Sequence, residues 1–158
     1  MPGRAPNAPL SSAGDQLVNK NSGKCLEVYH SQTGNLANVD QYTCNSTNTQ
    51  GWLFYYTGTW QVDSVYEIVN DNSGKCMEVY HSQTNNGANV DQYTCNGTAT
   101  QQWAWHHPSS MNGAGLFINM NSGLALEVAH SSTANLANVD QYIINYTATQ
   151  DWYRSILT

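Results

Sequence analysis

Residues 23–28 read Gly-Lys-Cys-Leu-Glu-Val, residues 39–44 read Val-Asp-Gln-Tyr-Thr-Cys, and residues 50–52 read Gln-Gly-Trp. The same group of segments occurs twice more along the chain, and those copies end at Trp103 and Trp152. The offset between copies is roughly 50 residues, with almost no gaps inside each copy. Self-similarity at a fixed period is the signature of a repeated structural unit. The sequence therefore predicts one domain of three repeats.

Each repeat has the pattern of short β-strands. Leu26 and Val28 alternate with Glu27, and turn-forming Asn, Gly, Ser and Thr clusters separate the apolar runs. A unit of two or three strands cannot bury its apolar face alone, and closure around a threefold axis removes exposed sheet edges. We therefore expect an all-β, closed barrel of three pseudo-threefold repeats, at approximately 15–64, 65–114 and 115–158, in a domain spanning 15–158. Residues 1–14 are expected to be a flexible tail or linker.

The four cysteines show how the repeats are cross-linked. Cys25 and Cys44 have the same separation as Cys76 and Cys95, while the equivalent positions of the third repeat are both changed, to alanine and isoleucine. Loss of both partners together is what pairing within a repeat predicts. Disulfides Cys25–Cys44 and Cys76–Cys95 are therefore expected, and with them an oxidising, secreted or extracellular location. Zinc binding would need close Cys/His pairs, which the sequence lacks.

The cysteine pairing also predicts which residues face each other. If Cys25 lies opposite Cys44 in an antiparallel pair, Glu27 lies opposite Tyr42, and Tyr29 lies opposite Asp40. A disulfide between residues slightly out of register would shift these pairs. The same rule places Glu78 opposite Tyr93 and Glu127 opposite Tyr142.

The alternation of side chains along the strands separates a core face from a site face. Leu26, Val28 and Val39 are predicted to point into the core. The acids and the tyrosine then share the opposite face, beside a hairpin loop at residues 30–38. Trp52 and its two counterparts are predicted to be core residues.

The placement of the acids carries the functional hypothesis. Six of the eleven acidic residues fall two per repeat, each pair beside a tyrosine. Carboxylates accept charge-assisted hydrogen bonds from vicinal sugar hydroxyls, and tyrosine offers a flat face to the C–H side of a sugar. The alternative is a structural hydrogen-bond cluster. The predicted ligand-binding acids and tyrosines are Glu27, Asp40, Tyr42, Glu78, Asp91, Tyr93, Glu127, Asp140 and Tyr142.

Two further positions recur beside the acids. Gln50, Gln101 and Gln150 either bind backbone in a turn or reach the ligand. His30, His81 and His130 are either solvated loop residues or part of the sugar site. Both sets are included among the candidate ligand-binding residues. Asn45, Asn96 and Asn145 fit the N-glycosylation pattern, but the repeat explains them as turn residues.

Composition excludes several classes of partner. The formal net charge is −6, charged residues make up only 10% of the chain, and no basic run occurs, so nucleic acid is not an expected partner. The apolar runs are far too short for a transmembrane segment. A surface of neutral hydrogen-bonding groups suits a glycan. No cofactor, no metal and no catalytic residue is expected.

The three copies of residues 23–28, 39–44 and 50–52 resemble ricin-type (R-type) lectin domains, which also occur as modules of secreted bacterial glycoside hydrolases. The resemblance covers nearly everything from about residue 15 to the end. It implies a β-trefoil with a shallow sugar site in each of three subdomains, often for galactose-type or xylan ligands. In that family the site takes an Asp after Cys-Leu, an aromatic residue on the next strand and polar residues before the Trp. Here those positions are Glu27, Tyr42 and 49–50, and Asp40 stands where the family often has a Gln.

Three departures from the family pattern bear on specificity. Glu replaces the usual Asp in every repeat, Thr stands at position 49 and its equivalents where Asn is common, and the third repeat lacks the disulfide and has Ala129 for Tyr29. A swap shared by all repeats indicates altered specificity, and the third site is expected to be the weakest. Alternatives are an accessory module cut from a glycoside hydrolase, a protein-interaction scaffold without sugar binding, and a glycosidase.

Overall fold

The computed structural model describes residues 14–156, so the expected tail falls outside the described residues except for Gly14. Within this range the chain forms twelve short strands joined by turns and single 3₁₀ turns. The strands are β1 (Asp15–Asn19), β2 (Cys25–Val28), β3 (Val39–Tyr42), β4 (Trp52–Trp60), β5 (Asp63–Asn70), β6 (Cys76–Val79), β7 (Val90–Tyr93), β8 (Gln102–His106), β9 (Leu116–Asn119), β10 (Ala125–Val128), β11 (Val139–Tyr142) and β12 (Trp152–Ile156). Each repeat contributes four of them.

Six of the strands close into a barrel. Antiparallel pairs join β12 to β1, β1 to β4, β4 to β5, β5 to β8 and β8 to β9. A bridge between Gly115 and Trp152 closes the ring between β9 and β12. The other six strands form three hairpins, β2–β3, β6–β7 and β10–β11. This is the β-trefoil, and the predicted all-β, threefold architecture is confirmed.

The three hairpins meet around the pseudo-threefold axis. Asn38, Asn89 and Asn138 stand at equivalent positions just before β3, β7 and β11. The side-chain Nδ2 of each donates to the side-chain Oδ1 of the equivalent asparagine in another repeat, at 2.8 Å. The result is a closed ring of three hydrogen bonds. Because each bond joins two different repeats, the ring fixes the hairpins relative to one another.

The register of each hairpin differs from the sequence prediction. In the structure Cys25 lies opposite Tyr42 and Glu27 lies opposite Asp40. Cys44 therefore lies beyond the end of β3, and the disulfide links residues that are out of register by two. A shift of two residues leaves every side chain on its predicted face. The predicted pairs Glu27–Tyr42, Tyr29–Asp40, Glu78–Tyr93 and Glu127–Tyr142 are thus wrong, whereas the assignment of faces is right.

The core contains the residues that the alternation predicted. Leu26, Val28 and Val39 are fully buried in the central cluster, together with Trp52 and its counterparts Trp103 and Trp152. A buried indole N–H needs an acceptor. The Nε1 of Trp52 donates to the Leu26 carbonyl oxygen at 3.0 Å, and the other two repeats make the same bond at the same distance. Each tryptophan therefore fastens its barrel strand to its own hairpin.

Both predicted disulfides are present, Cys25–Cys44 and Cys76–Cys95. In the third repeat the equivalent positions are Ala125, which is fully buried, and Ile144, which packs partly buried against an apolar cluster that includes Ile118. Apolar packing thus replaces the covalent link there. Cys95 is buried, whereas Cys44 is exposed.

The third repeat provides a design for testing what each disulfide contributes. We expect Cys76→Ala with Cys95→Ala to lower the free energy of unfolding by about 3 kcal/mol, because the bond closes a loop of about 20 residues. Replacing Cys95 by Ile instead, as in the third repeat, should recover roughly 1 kcal/mol, since the methylenes fill a buried position. Urea unfolding of both variants measures the difference.

The control for this prediction is the first repeat. Cys44 is exposed, so Cys25→Ala with Cys44→Ile should recover little over the double alanine variant. Equal recovery at both positions would show that burial is not what the isoleucine supplies.

Candidate functional site

Three equivalent cavities open at the surface, one beside each hairpin. Each has a volume of about 260–280 Å³ and is open to solvent. We name them site 1, site 2 and site 3 after the repeat that carries the glutamate. Their shared lining consists of the Glu, His, Ser, Tyr, Asn and two Thr residues of one repeat: Glu27, His30, Ser31, Tyr42, Asn45, Thr47 and Thr49 in site 1; Glu78, His81, Ser82, Tyr93, Asn96, Thr98 and Thr100 in site 2; Glu127, His130, Ser131, Tyr142, Asn145, Thr147 and Thr149 in site 3.

The glutamate forms the floor of each cavity and is held from behind by glutamine. Glu27 is only 6% exposed, and Gln50, which is fully buried, donates from Nε2 to its Oε1 at 3.3 Å. The same amide nitrogen donates to the Thr43 carbonyl oxygen, and the Gln50 side-chain oxygen accepts from the Asn45 N–H. Gln101 and Gln150 make the equivalent contacts. The glutamine therefore binds backbone in the turn, one of its two predicted roles, and positions the acid.

A threonine ties the turn before each tryptophan to the end of β2 and its equivalents. The Oγ1 of Thr49 donates to the Val28 carbonyl oxygen at 2.9 Å. Its own carbonyl oxygen accepts from the side-chain amide of Asn70, which belongs to the next repeat. The third repeat is linked back to the first in the same way, since Asn19 donates to the Thr149 carbonyl oxygen. Thr49, which stands where asparagine is common in the family, thus lines the cavity and also stabilises its wall.

The second acid of each pair lies behind the first. Asp40 faces Glu27 across the hairpin but is only 1% exposed, and Asp91 and Asp140 occupy the same position. None of the three lines a cavity. The expectation that both carboxylates reach one exposed patch is therefore corrected: only the glutamate faces the opening. Alternation along the strands correctly predicted that both acids share one face of the hairpin, but it does not predict how far each side chain is buried from solvent.

The two carboxyl groups of each pair lie opposite each other and interact. Burial raises the pKa of Asp40 to about 8, and the hydrogen bond and charge of Glu27 raise it further in the same direction. The pKa values of Asp91 and Asp140 are raised to about 8 for the same reasons. The raised pKa favours the protonated form of the aspartic acid at neutral pH. The glutamate is the member of the pair that lines the cavity.

The tyrosine of each site supplies an aromatic wall. Tyr42, Tyr93 and Tyr142 are 36–39% exposed, although each stands on a strand whose preceding residues are buried. The ring is therefore presented at the opening. An exposed aromatic side chain next to a recessed carboxylate gives each cavity a flat apolar face and a polar floor.

A histidine also lines each cavity. His30 has φ 50° and ψ 30°, in the left-handed region, and its ring stacks on Tyr29 with 3.7 Å between centroids. His81 and Tyr80 repeat this pair. In the third repeat Ala129 stands in the place of the tyrosine, so His130 has no such neighbour. Of the two roles considered for the histidine, the cavity lining is the one that its position supports.

Other lining residues were missed as site residues. Asn45 was expected only in a turn, and its side-chain oxygen does accept from the Thr47 N–H and hydroxyl, but the same residues also line site 1. Their recurrence in every repeat was the available signal. A second group comes from a neighbouring repeat: Leu136 lines site 1 and Leu36 lines site 2. No pattern within one repeat could reveal a contact between two repeats.

Comparison with known families identifies the fold's relatives. The model of the family described as "Ricin-type beta-trefoil lectin domain-like" matches residues 9–64 and 57–142. The chain belongs to this family. The resemblance seen in the sequence is thereby confirmed, and membership in this lectin-like family supports carbohydrate binding as the general function. A search of curated proteins gives no significant match.

Solved structures place this ricin-type domain among β-trefoils. The designed threefold-symmetric protein ThreeFoil is 34% identical, with a TM-score of 0.84, and the match covers 92% of this chain and 100% of ThreeFoil. The exo-β-1,3-galactanase 1,3Gal43A from Clostridium thermocellum is 27% identical, with a TM-score of 0.86 over 94% of this chain but only 31% of that chain. A ricin B-like lectin from Macrolepiota procera, in complex with lactose, is 14% identical, covers 93% of this chain and 98% of its own, and has a TM-score of 0.74, which shows the fold alone.

Within residues 14–156, every helical segment is too short and polar to cross a bilayer. The two disulfides of this ricin-type domain are consistent with an extracellular protein.

The acid pairs make stability depend on pH. A carboxyl group whose pKa is about 8 when folded and 3.8 when unfolded binds more protons in the folded state between those values, so stability falls as pH rises through that range. We expect the free energy of unfolding to be highest near pH 4 and to drop by at least ~1 kcal/mol per pair toward pH 9. Denaturant unfolding at several pH values measures the slope.

The matched variant is Asp40→Asn with Asp91→Asn and Asp140→Asn, because an amide donates to the glutamate without titrating. This variant should flatten most of the slope. Asp151, whose pKa is raised by burial and lowered in part by Lys20, adds to the slope in the same direction. An unchanged slope in the triple variant would contradict the raised pKa of the three buried aspartic acids.

Proposed function

We propose that this domain is a non-catalytic glycan-binding module with three sites for galactose-type or related neutral sugars. The observation that carries the proposal is the threefold recurrence of one open cavity in which a recessed carboxylate lies beside an exposed tyrosine ring. The neutral, hydrogen-bonding surface and the net charge of −6 favour an uncharged partner over nucleic acid.

The chemistry of one site follows from its lining. Glu27 accepts hydrogen bonds from two neighbouring sugar hydroxyls, because its carboxylate is an acceptor held in place by Gln50. Tyr42 packs its ring against the C–H face of the same sugar. His30 and Asn45 stand at the rim, where they meet the remaining hydroxyls. Asp40 and Gln50 support the carboxylate and do not touch the ligand.

The size and openness of the cavities set the expected affinity. At about 260–280 Å³ each cavity is smaller than the ~300–1,000 Å³ of pockets for drug-sized ligands, which fits a single sugar ring. Such a site binds in the millimolar to micromolar range, roughly −4 to −8 kcal/mol. Three sites on one rigid domain then gain avidity on a polysaccharide or cell surface.

The geometry of the acids argues against glycoside hydrolysis. A glycosidase places two carboxyl groups about 5–9 Å apart with the scissile bond between them. Here Asp40 is buried and lies directly opposite Glu27 in the hairpin, so no substrate fits between the two groups. Failure to release reducing sugar from galactan, xylan or arabinan is the expected result. Turnover that disappears in Glu78→Gln would reverse this conclusion.

One of the similar structures favours a second form of the same function, in which the domain is a module of a larger enzyme. The similarity to 31% of the galactanase 1,3Gal43A supports an accessory module that brings a larger secreted enzyme to its polysaccharide. Both forms require the same three sites. A protein-interaction scaffold, by contrast, has no use for a carboxylate and a tyrosine kept in every repeat.

Removal of the tyrosines tests the site assignment. We expect Tyr42→Ala, Tyr93→Ala or Tyr142→Ala alone to weaken retention on a galactan column moderately, because two sites remain. Any two together should reduce retention at least tenfold through loss of avidity. A glycan array followed by affinity chromatography with soluble-sugar competition makes the measurement.

The control is Tyr56→Ala. Tyr56 is 38% exposed, like the site tyrosines, but stands on the barrel strand β4 and lines none of the three cavities described. Its replacement should leave retention intact. If the double site variants and this control behave alike, the cavities are not the binding sites.

A further inference from the structure

Two of the three cavities are lined in part by a loop of a different repeat. The loop of repeat 1 lies against β7 of repeat 2, because Gln92 donates from Nε2 to the carbonyl oxygens of Gln32 and Gly34. Asn35 accepts from the Thr94 N–H at 2.8 Å, and the Leu36 N–H donates to the Gln92 carbonyl oxygen at 2.7 Å. Leu36 is thereby fixed at the rim of site 2, which it lines.

The same backbone arrangement recurs around the axis, but its side chain changes. The Leu136 N–H donates to the Gln41 carbonyl oxygen, and the Gly87 N–H donates to that of Gln141, each at 2.7 Å. Leu136 lines site 1. Gly87 occupies the equivalent place beside site 3, where it contributes no side chain. Two sites therefore have an apolar rim that the third lacks.

The conformation makes leucine an unexpected choice at this position. Leu36 and Leu136 have φ 69° and 68°, in the left-handed region that glycine tolerates and branched apolar side chains disfavour. They are 48% and 46% exposed, so core packing does not explain them. Gly87, with φ 81°, shows that the backbone is compatible with glycine. Exposure and unfavourable conformation together indicate that the side chain serves the cavity it lines.

We propose that Leu36 and Leu136 form an apolar subsite that gives sites 2 and 1 a preference for disaccharides or longer chains, while site 3 binds a single sugar. The inference rests on the proposed function. The glutamate and the tyrosine hold the first ring, and the leucine covers the C–H face of the ring linked to it. The loop of one repeat thus determines the specificity of its neighbour.

Single-site variants allow the test. Tyr42→Ala with Tyr142→Ala leaves site 2, and Tyr42→Ala with Tyr93→Ala leaves site 3. Calorimetric titration with methyl β-galactoside and with lactose gives the ratio of the two dissociation constants for each site. Site 2 should prefer lactose by roughly fivefold, as expected for burial of about half a leucine side chain, and site 3 should show no preference.

Exchange of the rim residue should exchange the preference. In the site 2 background, Leu36→Gly removes the lactose preference, so the ratio of the two dissociation constants falls to about one. Leu36→Asn, which keeps a side chain of similar size in a left-handed conformation, has the same effect if the apolar surface is what matters. In the site 3 background, Gly87→Leu creates the preference, since a Cβ at Gly87 meets nothing within 4 Å.

Leu36→Gly in the site 3 background is the matched control and should change neither constant. A lactose preference that survives Leu36→Gly and Leu36→Asn overturns the subsite while leaving the proposed function standing. Absence of binding of both sugars at every site of the unmodified protein contradicts the proposed function, and the subsite with it. The loss variants decide the matter even if Gly87→Leu folds poorly.

Discussion

The hydrogen bond from each buried indole to the hairpin is the interaction on which both fold and site depend. A fully buried tryptophan must satisfy its N–H, and Trp52 does so at the carbonyl oxygen of Leu26, the residue immediately before Glu27. Two positions before the indole, Gln50 holds the Glu27 carboxylate itself. Packing of the barrel core therefore fixes the position of Glu27 through these two hydrogen bonds. A shift of the core would also displace the glutamate that forms the floor of the cavity.

The repeats are alike but not independent. The glutamine of β3 and its equivalents, Gln41 in the first repeat, reaches across to carbonyl oxygens in the loop of the preceding repeat. These hydrogen bonds hold the loop at the rim of the cavity in place, just as the tryptophan hydrogen bond holds the strand that carries the glutamate. Sites 1 and 2 consequently combine a floor from one repeat with a rim leucine from another. The acceptors in these contacts are backbone carbonyl oxygens, so the contacts do not depend on which side chain stands at the rim. Gly87 is an example, because it occupies the position that is leucine in the other two repeats.

The sequence predicts those features of the molecule that depend on residues within a single repeat. The period predicted three units, alternation predicted that Val28 and Val39 enter the core, and loss of both cysteines from the third repeat predicted the pairing. The register was wrong by two residues because a disulfide tolerates a diagonal partner, as Cys44 does. The burial of Asp40 escaped prediction because alternation assigns a face and not a distance from solvent. The role of Leu36 escaped because its contacts belong to another repeat. Its available signal was an apolar loop residue whose counterpart is glycine.

The third repeat separates what the disulfide does from what the site needs. Without a disulfide, Gln150 still donates to Glu127 at 3.3 Å, the distance found in the first repeat, and Trp152 still donates to Leu126 at 3.0 Å. The covalent link therefore stabilises the hairpin without setting the geometry of the cavity. Site 3 differs from the others at its rim, where glycine replaces leucine and the histidine lacks its stacked tyrosine. The sequence predicts a weakest third site from the missing disulfide and from Ala129; on this account such a weakness would arise from Ala129 and Gly87, and not from the disulfide. The floor and the tyrosine wall are the same in all three.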